Sequence, residues 1–164
     1  MFDWSAHAIF FAGLLAAAAT FALLEIHIEG PAGWAANLPT WRVKSVLLSR
    51  LFPGRPLTGY HLWLMVFTVI VAHLPFSFGL LWTAARELRS IAFVLFFWVI
   101  EDFLWFALNP HFGLRRFRPQ YIPWHGKAWW WLAPRDYWIG LALAIGLYLA
   151  SQQADPGVLV AMGQ

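Results

Sequence analysis

The chain of 164 residues is 61% hydrophobic and only 12% charged, with a mean hydropathy of +0.61, whereas ordinary soluble domains are about 25% charged. That composition excludes a soluble globular domain and points to an integral membrane protein. The absence of cysteine excludes disulfides, thiolate metal sites and cysteine nucleophiles, and the net charge of +3 gives no reason to expect nucleic acid, because the cations flank the apolar runs, where topology accounts for them.

A membrane span needs about 20 mostly apolar residues. Four windows qualify, at 8–28, 60–83, 91–109 and 137–152. The predicted fold is therefore an all-α, four-helix transmembrane bundle forming one domain over 1–164. The first run contains Ala16 to Ala19, a composition that permits close helix contact in lipid. It leads into Glu25 instead of a small-residue cleavage site, so it is expected to stay as helix one.

Nine of the eleven cations lie between helices one and two (Arg42, Lys44, Arg50, Arg55) or three and four (Arg115, Arg116, Arg118, Lys127, Arg135). The positive-inside rule makes that side cytoplasmic, with both termini outside and Arg86 and Arg89 in a short external turn. The expected location is the cytoplasmic (inner) membrane of a bacterium.

In the first basic loop, Thr40 is a candidate N-cap, followed by Val43, Val46, Leu47 and Leu51 at helical spacing. This stretch reads either as an interfacial amphipathic helix or as an ordinary topology-setting loop. Helix two carries Pro75, expected to kink it near His73. Helix three contains the most informative pair of the chain, Glu101-Asp102, after ten uncharged residues, Ile91 to Ile100. Carboxylates in hydrocarbon cost roughly 2.5 to 3.5 kcal/mol each on insertion scales, so they are usually paired, cavity-facing or functional. The loop from His111 to Asp136 is dense in Arg, Pro and Trp and is expected to lie along the bilayer surface as an aromatic lid.

Span position places His73 and Glu101 near the bilayer midplane as partners, with Asp102 about 100° away around the helix. Glu101, Asp102 and His73 are thus the candidate catalytic groups. Glu25, Glu29, His61, His111 and His125 gather at the cytoplasmic mouth. Three readings of that cluster stand open. Imidazole and carboxylate are ligand types for zinc, iron or manganese, which would activate water or oxygen. Without metal, the same groups suit acid–base or proton-relay work. Alternatively, the carboxylates pair with Arg115, Arg116, Arg118 and Arg135 as topology-locking ion pairs. His61 and His73, about 120° and about 18 Å apart on an ideal helix, should not share one metal.

Arg115, Arg116 and Arg118 read as positive-inside anchors or as a phosphate headgroup site. Trp105, one turn after Glu101, and Trp124 in the lid are candidates to contact substrate. His7 reads as an interfacial residue.

The string Glu101-Asp102-Phe103-Leu104-Trp105-Phe106 resembles the paired-carboxylate and aromatic motif of the membrane lycopene cyclase family, over six residues. The resemblance implies acid-initiated, redox-neutral cyclisation of an isoprenoid chain, with Glu101 and Asp102 as the catalytic pair. The leading expectation from the residues themselves is a membrane enzyme acting on a lipid or isoprenoid at a His and carboxylate site. The rivals are a small transporter or proton-coupled permease, which with four helices needs a homo-oligomer, and an accessory subunit of a membrane complex.

Overall fold

The computed structural model describes residues 4–44, 55–125 and 128–154. Within them, four helices run in chain order: α1 (Trp4–Glu29), α2 (Gly59–Ser77), α3 (Ala84–Leu108) and α4 (Arg135–Gln153). Three of them, α1, α2 and α3, are long and apolar enough to cross a membrane. The fourth expected span is helical, but Arg135, Asp136, Tyr137, Ser151 and Gln152 leave α4 less apolar than the other three.

Helix α3 is the centre of the packing, against α4 and α1 chiefly and α2 much less. The reason lies in side-chain spacing. Leu14, Ala18 and Ala22 of α1 are fully buried at four-residue intervals, and the small alanines let α1 approach Ala92, Phe96 and Phe97 of α3. The same face of α1 continues through Glu25 and Glu29, so its packing stripe carries both carboxylates inward. Gly140 of α4 lies against Val99 of α3, where a Cβ would meet Val99 Cγ2 at 2.8 Å. The α3–α4 approach thus depends on glycine at that point.

Helix boundaries differ from the sequence expectation in ways that move the polar groups. Helix α2 ends at Ser77, not 83, because Pro75 cannot extend the hydrogen-bond ladder and Gly79, at φ +95°, turns the chain away. Thr83 then caps α3, its side chain accepting from the Arg86 amide at 3.2 Å. Consequently Arg86 and Arg89 stand in the first two turns of α3 and not in a turn between spans.

The first basic loop also departs from expectation. Arg42–Val43 (β1) pairs antiparallel with Leu57–Thr58 (β2), so no helix begins at Thr40. Thr40 instead accepts from the Tyr60 amide at 2.9 Å and holds the start of α2. The rest of the expected amphipathic helix, 45–53, lies outside the described residues. The aromatic loop returns over one end of the bundle through a 3-10 turn at Leu114–Arg116. It ends in a small antiparallel pairing of Trp129–Trp130 (β3) with Ala133–Pro134 (β4). Ile122 is fully buried there against Ala22, Trp105 and Phe106, with Trp124 and Phe117 packed around them.

Candidate functional site

Where α1 and α3 run toward the end covered by the aromatic loop, and α2 and α4 start, all four helices enclose a cavity of about 330 Å³. Its polar lining comes from Glu25 and Glu29 of α1, His61 of α2, Glu101 and Asp102 of α3, Asp136 and Tyr137 of α4, and Arg55 and His125 of the loops. Trp34, Trp98, Trp105, Phe106, Trp124, Met65, Leu95 and Val99 make the rest of the wall.

Two carboxyls meet at its floor. Glu25 and Glu101, buried to 6% and 2% exposure, come within hydrogen-bonding reach of each other. Glu25 Oε1 and Glu101 Oε1 are buried with no partner beyond each other and Tyr60, and the indole Nε1 of Trp105 is buried without one. Buried polar atoms are nearly always satisfied, so two carboxyls this deep and this close call for a shared proton between them. The Tyr60 side chain stands beside Glu25.

The neighbouring carboxylate belongs to a different network. Asp102 Oδ2 accepts from the Tyr137 hydroxyl at 2.5 Å and lies 3.1 Å from His125 Nε2. Arg55 joins this network: Nη1 lies 3.2 Å from His125 Nε2, and Nη2 donates to Asp136 Oδ2 at 2.8 Å. Its guanidinium also sits 4.7 Å from the Trp34 ring centroid, a cation–π distance. Trp34 in turn stacks on His61 at 4.0 Å. His61 Nδ1 is 2.6 Å from Thr58 Oγ1, and Nε2 lies 3.7 Å from Glu29 Oε1, which accepts from the Ala35 amide.

Of the residues singled out from sequence, Glu25, Glu29, His61, Glu101, Asp102, Trp105, Trp124 and His125 are thus brought together. Four are not. His73 does not meet Glu101: with α2 ending at Ser77 it falls in the last turns of that helix, at the opposite end of the bundle, 3.1 Å from Glu87. His111 is exposed just beyond α3, its amide donating to Asn109 Oδ1. Arg115 and Arg118 are exposed around the 3-10 turn, away from the cavity, and Arg116 there donates to the His111 carbonyl. Among the described residues Glu29 and Asp102 pair with histidine and tyrosine and Asp136 with Arg55 and Arg135, and none of them with Arg115, Arg116 or Arg118.

Among the described residues no three His, Asp or Glu side chains converge in a metal-holding arrangement. The expected ligands divide into a Glu29–His61 pair and an Asp102–His125 pair, with His111 outside.

Sequence reasoning missed Arg55, Trp34, Asp136 and Tyr137. Tyr137, like Glu101, is polar on a packed helical stripe, with Ala144, Tyr148 and Ser151 as its buried companions, and that spacing was a readable signal. Arg55 and Trp34 sit on loops, and no periodicity reveals which loop side chains fold inward. No protein-family model, curated protein or solved structure matches the chain.

Proposed function

We propose that the chain is a membrane-embedded enzyme acting on a lipid or isoprenoid by acid–base chemistry in this cavity, with the Glu25–Glu101 pair as its working group. The observation that carries the reading is the deeply buried Glu25–Glu101 carboxyl pair, contributed by two residues that both line an aromatic-walled cavity. A carboxyl in such a space can hold a proton and pass it to an apolar molecule that water does not reach. The pair supplies one oxygen to hold the proton and a second to receive it.

Asp102, His125, Tyr137 and Arg55 have a different role in this reading. They are bonded to one another and to Asp136, so they fix the wall beside the pair and keep a charged network there. Trp105 and Trp124 give the apolar part of a substrate its contact surface. The resemblance at Glu101 to Phe106 agrees in reaction class, an acid-initiated conversion, but the geometry pairs Glu101 with Glu25 and leaves Asp102 in the supporting network.

The test is the lipid composition of host membranes carrying the wild type, Glu101→Gln or empty vector, read by mass spectrometry. Lipid species that change with the wild type and not with Glu101→Gln support the reading. If the two proteins insert equally and the profiles are the same, the reading fails. Glu101-dependent ion or solute flux in liposomes would then favour the transporter.

A further inference from the structure

The cavity does not end at its polar groups. Leu95, Trp98 and Val99 of α3 line it together with Asp102, Trp105 and Phe106, and at about 100° per residue all six share one face of the helix. Leu95 lies about 10 Å along the axis from Asp102, near the middle of α3. The side walls of this stretch are Met65 of α2 and Gly140 of α4, so it is apolar throughout. We infer that it is the tail groove of the site, taking one hydrocarbon chain that enters sideways from the bilayer between α2 and α4. This rests on the enzyme reading above and adds which part of a lipid the cavity admits and by which route.

Helix α2 makes its few helix contacts with α3 and hardly touches α1 or α4. Met65 and Gly140 therefore bound one space from two helices that leave a gap between them. Beside that gap Phe67 and Ile70 of α2 and Leu143 of α4 are exposed, and α2 is long and apolar enough to cross a membrane. A molecule reaching the gap at mid-helix depth comes out of hydrocarbon. The loop end of the cavity is bounded differently, by the Arg55–Asp136 ion pair at 2.8 Å and the Trp34–His61 stack at 4.0 Å. Water gains little from the groove, because the side chains of Met65, Leu95 and Val99 offer it no hydrogen bonds. A volume of about 330 Å³ is at the small end of ligand pockets, which run from about 300 to 1,000 Å³, and α4 comes close to α3 at Gly140. The groove therefore suits one chain and not two, with the tail over Leu95 and Val99 and the reacting part at the Glu25–Glu101 pair.

The experiment is photolabelling of the full chain in liposomes with a trace of hexadecane carrying a mid-chain diazirine, followed by peptide mapping by mass spectrometry. The expected result is adducts on Met65, Leu95 or Val99 that excess unlabelled hexadecane displaces, while adducts on the outward Phe67 and Ile70 persist. Met65→Trp, which fills the groove from the loosely packed helix, should cut labelling at Leu95 and Val99 by about tenfold, the equivalent of about two buried methylenes. Phe67→Trp, on the outward face, should not. Adducts confined to outward residues, cavity adducts that excess hexadecane does not displace, or undiminished labelling of Leu95 and Val99 in a folded Met65→Trp protein overturns the inference. The wild-type map alone decides if that variant does not fold. Glu101→Gln should be labelled like the wild type, because the tail does not meet the carboxyl pair. The two proposals therefore fail separately: a lipid change that needs Glu101 alongside no displaceable cavity label keeps the enzyme and removes the groove, and the reverse result does the opposite.

Discussion

Asp102 and Glu101 are adjacent, yet about 100° of helical rotation sends them to different neighbours. Asp102 turns toward α4 and the loops, where Tyr137 and His125 hold it; Glu101 turns toward α1 and meets Glu25. Hydrogen bonds to a charged group are worth about 1.5 to 3 kcal/mol. Asp102→Asn is therefore expected to lower stability by about 1 to 3 kcal/mol, read as a fall in the thermal midpoint in detergent, because Tyr137 and His125 lose a charged acceptor. Glu101→Gln should leave that midpoint nearly unchanged, since an amide of the same shape can still donate a hydrogen bond to Glu25. Equal destabilisation by both would return Glu101 to a purely structural role.

Small residues set the distances between helices. At Gly140 even a methyl group would press on Val99, while at Gly146, two turns further along α4, a Cβ would meet nothing within 4 Å. Overpacking typically costs about 1 to 3 kcal/mol, so Gly140→Leu should lower the thermal midpoint markedly and Gly146→Leu should not. Because Gly140 also lines the cavity, the first substitution narrows the site as well. A matched loss in both variants would show that α4 is not seated on α3 as described.

The elements were legible to different degrees. Long apolar runs announced α1, α2 and α3, since periodic hydrophobic segments of that length have few alternatives. Their ends were less readable. Pro75 and Gly79 closed α2 early, and Thr83 opened α3 two turns before the apolar run begins; both shifts moved His73 away from Glu101. The two short antiparallel pairings carry no periodic signal and depend on contacts made by distant segments.

For the molecule as a whole, the helix order puts the ends of α1 and α3 and the starts of α2 and α4 together, with the cavity, under the cation-rich loops. That arrangement makes the expected topology testable. Single cysteines at Ser5 and at Gln153, both at the end remote from the cavity, should react with an impermeant maleimide from the extracytoplasmic side of intact cells. A cysteine at Arg118 should react only after the membrane is opened. The converse pattern would place the cavity in the opposite leaflet.

At this scale the candidate site was partly legible. The inward carboxylates were visible because charge in apolar sequence is expensive, and Trp105 because it follows Glu101 by one turn. Their pairing was not, since whether Glu101 meets His73 or Glu25 depends on helix lengths and on which helices pack closely.

The central claim, that Glu25 and Glu101 form a proton-holding pair inside an apolar cavity, is tested most directly by carbodiimide labelling. A carbodiimide adds to a carboxyl that carries a proton, and an apolar one reaches sites that a water-soluble one does not. Treatment of the protein in membranes with dicyclohexylcarbodiimide, followed by peptide mapping by mass spectrometry, should place adducts on Glu101 or Glu25 ahead of Asp102 and Asp136, with little reaction from a water-soluble carbodiimide at those two sites. Adducts concentrated on Asp102 or Asp136, or none on Glu25 and Glu101, would contradict the account.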